Sequence, residues 1–100
     1  MKIRQHPAAS VELDDALAWY AQRSPRAAEA LWREVLRAQE VVKAFPLANL
    51  LIGATTRRFV LHAFPYDLIY AFAGDDLWIV AYAHHKRRPG YWLDRLKNAH

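Results

Sequence analysis

The chain contains no cysteine, which removes disulfides, thiolate metal sites and cysteine nucleophiles from consideration. Glycine is almost as scarce: Gly53, Gly74 and Gly90 are the only three, and no glycine-rich phosphate loop can be built from them. Serine occurs twice, at Ser10 and Ser24, and neither lies in the G-x-S-x-G setting of a hydrolase nucleophile. No run of about 18 apolar residues exists, so no membrane span is expected. The opening MKIRQHP lacks the apolar stretch of a signal peptide. A cytoplasmic protein is therefore expected. What is present suffices for a core. Of the 100 residues 54% are apolar and 13% aromatic, too many for a disordered segment, and the length allows a single domain over residues 1–100.

Fourteen Lys and Arg face ten Asp and Glu, a net charge of +4. Residues 1–50 carry seven bases and six acids, whereas residues 51–100 carry seven and four. The excess is therefore C-terminal. Ten of the fourteen bases are Arg, the side chain suited to bidentate contacts with phosphate or carboxylate. An anionic partner, nucleic acid or acidic protein, fits this balance. Mild basicity that only aids solubility fits it too.

Periodicity sets the element order. Residues 2–6 alternate weakly up to Pro7 and read as a short strand. Ala9, Leu13, Ala16, Leu17 and Tyr20 share one face of a helix. Glu12, Asp14 and Asp15 are placed near its start, where the macrodipole favours acid. Ser24-Pro25 restarts the chain as an N-cap followed by proline in the first turn. Ala27, Leu31, Val35, Ala38, Val42 and Phe45 then form a second stripe that Pro46 ends. So short a turn folds the two helices into an antiparallel hairpin. Residues 57–64, 66–72 and 77–84 read as three strands, the last two joined by a turn at Gly74-Asp75-Asp76. Residues 47–56 read as a loop and 91–97 as a short helix. The expected fold is α+β: a helical hairpin packed on a small antiparallel sheet, in the order strand, helix, helix, strand, strand, strand, short helix. The last two strands are apolar on both faces. The hairpin can cover only one, and the other has nothing of its own except the C-terminal segment, so an outside partner is expected to bury what remains.

The run His84-His85-Lys86-Arg87-Arg88-Pro89-Gly90-Tyr91-Trp92-Leu93-Asp94-Arg95 mixes bases with aromatics directly after a core strand. As a site, its cations would meet phosphates or carboxylates while Tyr91 and Trp92 stack or fill a pocket. The plainer reading is a solvated connector with Trp92 folded back on the core. Adjacent in an extended strand, His84 and His85 point to opposite faces and cannot chelate one metal, so no metal site is expected. Trp19, Trp32 and Leu36 lie off the main helical stripes. They serve either contact within the hairpin or the docking of an apolar partner.

These pieces together resemble the RelE/ParE superfamily of bacterial toxins. The resemblance spans nearly the whole chain and is carried by Arg57-Arg58 with Phe64-Pro65-Tyr66 and Ile69-Tyr70, and by His84 through Trp92 with Arg95. It implies the toxin half of a type II toxin–antitoxin module, acting without a cofactor and neutralised by the tail of an antitoxin. RelE-like members cut mRNA in the ribosomal A site without a metal; ParE-like members poison DNA gyrase. Cleavage by a 2′-OH needs a base, cations on the phosphate and an acid for the leaving oxygen. Carried over from the nuclease branch, Arg58 fits one basic sheet position, but the second falls on Val60 and the third-strand Arg on Asp67. Lys86 supplies a cation near the end of the last strand, and the Tyr position is Trp92, with Tyr91 beside it. His62, His84 and Tyr91 are a different candidate acid–base set.

The departures place the chain nearer the ParE-like side. The expectation is a growth inhibitor that binds a target such as gyrase through Arg58, His84, Lys86, Arg87, Arg88, Tyr91, Trp92 and Arg95. Its antitoxin, acidic and with a partly disordered tail, is expected to meet Trp19, Trp32 and Leu36 in a hetero-oligomer. The alternatives are a metal-independent, ribosome-dependent mRNA endonuclease and a degenerate toxin that only binds antitoxin.

Overall fold

The structure, a computed structural model, describes residues 2–98. Two helices lie on one face of a five-stranded sheet whose order is β1-β5-β4-β3-β2. The strands are β1 (Ile3–Gln5), β2 (Leu50–Leu51), β3 (Thr56–Val60), β4 (Tyr66–Ala73) and β5 (Asp76–His84). The helices are α1 (Pro7–Arg23) and α2 (Pro25–Ala44), and a 3₁₀ helix spans Leu93–Asn98. This is the expected α+β architecture. The sheet is mixed, because β1 runs parallel to β5 while the other pairs are antiparallel. A parallel pair needs a long crossover, and here everything between β1 and β5 supplies it.

Local chemistry explains the helix boundaries. The His6 side chain caps α1 by accepting from the Ala8 N–H at 3.0 Å. The Ser24 hydroxyl caps α2 by accepting from the Ala27 N–H at 3.2 Å. Each helix then opens on proline, whose missing N–H costs nothing there. Because α1 begins at Pro7, its first turn holds no acid. The expected dipole role of Glu12, Asp14 and Asp15 is therefore absent, and Glu12 instead turns inward. The buried stripes are Ala9, Leu13 and Ala16 on α1, and Leu31, Val35, Ala38 and Val42 on α2. They pack with Leu61, Leu68, Tyr70, Leu77, Ile79 and Tyr82 into the main core. Phe45, expected to end the second stripe, is the exposed C-cap.

Three boundaries differ from the sequence reading. First, β3 ends at Val60 rather than 64. Past it the chain turns over α2, where the Glu34 carboxylate accepts the N–H groups of both His62 and Ala63. Second, the segment read as a loop contains β2, which pairs with Arg57 and Arg58; two residues are too few to show a period. The Tyr70 hydroxyl pins this segment, donating to the Pro46 carbonyl at 2.7 Å. Third, the β4–β5 turn needs only Gly74 and Asp75, since Ala73 already pairs with Asp76. Gly74 adopts φ +62°, as the first residue of a two-residue hairpin turn favours.

The largest correction concerns the second face of the sheet. The chain's own C-terminal segment folds across much of it, leaving an open apolar strip that includes the exposed Val60. Trp92 is only 5% exposed and packs with Ile69, Ala71, Val80 and Ala81, flanked by Ile52, Ala83, Tyr91 and Leu96. A bulge shapes this second core. Ile69 pairs with Ala81 but Tyr70 pairs with Ile79, so Val80 is an extra residue, and Val80 and Ala81 both face Trp92. Trp92→Ala should cost about 3–5 kcal/mol of stability, the usual range for deleting a buried large aromatic. Trp19→Ala, at an exposed position, should cost no more than about 1 kcal/mol. Urea denaturation followed by far-UV circular dichroism compares the two.

Candidate functional site

The site grows from an edge of β5. β1 covers that edge only from Leu77 to Ile79, ending where the His6 N–H donates to the Ile79 carbonyl. Beyond it, backbone polar groups of β5 lack a strand partner, and leaving them unpaired would be costly. Two side chains take them up. The Glu12 carboxylate on α1 accepts the Tyr82 N–H at 3.1 Å, and the Arg95 guanidinium donates to the Val80 carbonyl at 3.1 Å. The two join in a two-pronged ion pair, Nη1 to Oε1 at 2.8 Å and Nη2 to Oε2 at 3.1 Å. The Tyr91 hydroxyl donates to Glu12 Oε2 at 2.5 Å. One carboxylate thus holds β5, the last loop and the 3₁₀ helix to α1.

The loop after β5 is presented by this clamp. The Arg87 guanidinium lies over the Tyr91 ring, 3.9 Å from its centroid, with Arg95 5.2 Å from the same ring. The ring of His84 packs edge-on against Tyr66 at 5.0 Å. Its Nδ1 accepts the Lys86 N–H at 3.0 Å, closing the turn. Lys86 and Arg88 are exposed and make no ion pair with another described residue.

His84, Arg87 and Tyr91 form a wall between two grooves. The first, about 450 Å³, runs between α1 and the end of β5. Glu12, Asp15 and Trp19 line one side, Tyr66 and Tyr82 the floor, and Lys86 the far rim. The second, about 520 Å³, lies on the open sheet face. Its floor is apolar, from Ile52, Val60, Ile69 and Ala83, and its rim carries Arg58, His85 and Arg88. Asp67 stands within this second groove, 14% exposed. His85 Nε2 lies 2.9 Å from its Oδ1, and Arg58 Nε 3.8 Å from its Oδ2. The sheet-face cation and the acid are therefore already partnered with each other.

Burial, followed by the nearby Glu12 that accepts its proton, pushes the Tyr91 phenol well above its ordinary value. Burial lifts Tyr82 to about 12, against a lowering by its hydrogen bond from Gln39. Burial also raises Tyr66. Hydrogen bonding to Glu12 leads the upward shift of Arg95. The cluster therefore holds neutral phenols beside a permanent cation.

The structure brings Arg58, His84, Lys86, Arg87, Arg88 and Tyr91 around the two grooves. Two expected target contacts are turned elsewhere. Trp92 is core and Arg95 is spent on Glu12 and Val80, so neither offers a free contact surface. His62 lies on the turn over α2 and lines neither groove, so His62, His84 and Tyr91 do not assemble. Of the expected antitoxin contacts, Trp19 (51% exposed) borders the first groove under the Arg23 guanidinium, 3.6 Å above its ring. Trp32 and Leu36, 44% and 42% exposed, lie on α2 away from both grooves. Sequence reasoning missed Glu12 as the centre of the site. The signal was there: Glu12 falls three residues after Ala9 and four before Ala16, on the border of an apolar stripe, where a carboxylate requires a partner.

This arrangement of two helices and a mixed sheet, with a basic loop folded back from the last strand, is the RelE/ParE-like fold. The chain superposes on a chain of the solved structure described as the chromosomal ParDE TA system from P. aeruginosa, with a TM-score of 0.67 and 16% sequence identity, over 84% of this chain and 95% of that one. No protein-family model matches the chain, and no curated protein matches it. Among the described residues no helix is long and apolar enough to cross a membrane.

Two outcomes follow from the clamp. Glu12→Gln should lower stability by on the order of 2–3 kcal/mol, less than the roughly 3–5 of a fully buried pair, because both partners retain some exposure. Chemical denaturation at neutral pH measures it. Alkaline pH provides the second check. A phenol held above its unfolded value of 10 keeps its proton in the native chain while the unfolded chain releases it. The contribution of Tyr82 is thus fully present below pH 10 and is lost as pH rises from 10 towards about 12. Unfolding free energies measured at intervals from pH 8 to pH 11, each pH taken about one unit apart, should fall only in the upper part of that range.

Proposed function

We propose that this chain is the toxin component of a type II toxin–antitoxin module. It inhibits growth by binding an essential machine such as DNA gyrase, not by cutting RNA, and an antitoxin with an acidic, partly disordered tail neutralises it. The shared fold with a chain of the ParDE TA structure supports the general reading. The observation that favours binding over cleavage is Asp67. A metal-independent nuclease needs cations where negative charge develops on the phosphate. In the open-face groove a carboxylate stands there instead, and it engages both Arg58 and His85. Tyr91, the nearest phenol to the nuclease branch's Tyr, has its proton committed to Glu12 and its ionisation suppressed. Neither a phosphate clamp nor a phenolate base is assembled.

Binding asks for different things, and the site has them. The apolar floor of the second groove gives area, while exposed Arg88 on its rim and Lys86 on the same loop, at the rim of the first groove, steer an anionic or mixed surface towards it. The antitoxin reading falls on the first groove, where Trp19 and Tyr66 offer apolar contact and Lys86 and Arg87 meet acids of the tail. A disordered tail would order there on binding.

Expression of the chain should stop DNA synthesis before protein synthesis, as read by pulse labelling of both. The purified protein should inhibit supercoiling by gyrase. Lys86→Ala with Arg88→Ala should weaken that inhibition by about tenfold or more, as losing two steering and contact charges implies, with the fold intact. Removing everything after Pro89 is uninformative, since Trp92 leaves with it. Codon-dependent A-site cuts seen by primer extension, and lost on Lys86→Ala, would replace this reading with the endonuclease. Normal growth with intact antitoxin binding would identify a degenerate toxin.

A further inference from the structure

The outer side of α2 belongs to neither groove. Glu29, Trp32, Arg33, Leu36, Glu40 and Lys43 recur there at steps of three, one, three, four and three. At about 100° per residue all six point within roughly 60° of Leu36, and all six are exposed. The buried stripe through Leu31, Val35, Ala38 and Val42 faces the other way.

The order of charges along this stripe is informative. Its centre is apolar, with Leu36 and Trp32 each more than two-fifths exposed. Around Leu36 the charges invert. Glu29 lies seven residues before it and Lys43 seven after; Arg33 lies three before and Glu40 four after. Within one chain the nearest pair, Arg33 with Glu29, is loose at 3.8 Å and highly exposed. A two-fold axis through Leu36 brings a second α2 alongside in the antiparallel sense. Each Glu29 then meets a Lys43, each Arg33 meets a Glu40, and the two Leu36 side chains touch at the axis between the Trp32 rings. A self-complementary patch of this kind is what a two-fold interface requires. An acidic tail fits it poorly, since Glu29 and Glu40 would repel it.

We propose that the outer stripe of α2 is a self-association surface whose occupant is a second copy of this chain, docked antiparallel. The expected antitoxin role of Trp32 and Leu36 gives way to this one, and the proposal does not depend on the toxin reading. The seam spans about 21 Å of helix, so the dimer is weak and reversible.

Sedimentation equilibrium of the full chain, from low micromolar to submillimolar concentration, should show a monomer–dimer equilibrium. Glu29→Lys alone, or Lys43→Glu alone, should weaken dimerisation about tenfold, since each turns two symmetry-related attractions into repulsions. The double exchange should restore it. Leu36→Glu should abolish the dimer with an unchanged far-UV spectrum, because the position is exposed and Glu is a good helix former. A chain that stays monomeric throughout, or a dimer indifferent to the single reversals, overturns the proposal. So does a monomeric chain from which antitoxin dissociates faster after Trp32→Ala, which would return the stripe to the antitoxin.

Discussion

The carboxylate of Glu12 settles what the end of β5 can be. A strand edge without a neighbour invites any passing strand to pair with it. Here the vacancy arises because β1 stops opposite Ile79, three residues short of Tyr82, the last position of β5 in the main core. Glu12 and Arg95 close the vacancy from opposite directions, one from the helical layer and one from the chain's last turn. Because the same pair binds Tyr91, the basic loop between His84 and Tyr91 is fixed at both ends. Trp92 then has no choice but to lie on the second face. The grooves, the second core and the exposed cations all inherit their positions from that one ion pair.

Electrostatics separates the two faces of the loop. On the α1 side Glu12 is neutralised by Arg95, leaving Asp15 opposite Lys86 and Arg87 across an aromatic floor. On the sheet side Asp67 consumes the charge of Arg58 and draws in His85. What remains unpaired is concentrated on the exposed loop residues Lys86 and Arg88. Charge of this kind governs how fast a partner arrives more than how long it stays. In the proposed binding, residence falls to the apolar floors.

Much of the fold was legible in the sequence because its signals are local. The Ser24-Pro25 restart, the four-three spacing of α2 and the Gly74 turn each act over a few residues and are found where periodicity puts them. What escaped was set by distant partners. β3 stops early because Glu34, from α2, takes the amides of His62 and Ala63. β2 exists because Arg57 and Arg58 offer a ladder to Leu50 and Leu51. The aromatic run at the C-terminus showed where the site gathers, but not which members face outward. Trp92 and Tyr91 are adjacent and chemically alike in sequence, and only the fold, with Val80 and Ala81 both packed on Trp92 and Glu12 holding Tyr91, tells them apart. The RelE/ParE resemblance carried the layer order correctly; it could not show that Asp67 would be satisfied by His85.

The clamp also dictates when the protein becomes itself. Glu12 finds its partners 70, 79 and 83 residues away along the chain, and β1 waits for β5. Contacts so remote in sequence carry the full entropy of loop closure before they return anything, and they form late. While the chain is being synthesised, the helical hairpin can collapse early, but the sheet's second face stays bare until the residues through Arg95 have cleared the ribosome. Until that segment is present, Ile69 and Val80 lack the Trp92 side chain that covers them in the native fold. The surface is complete only when the guanidinium of Arg95 reaches Glu12 on α1.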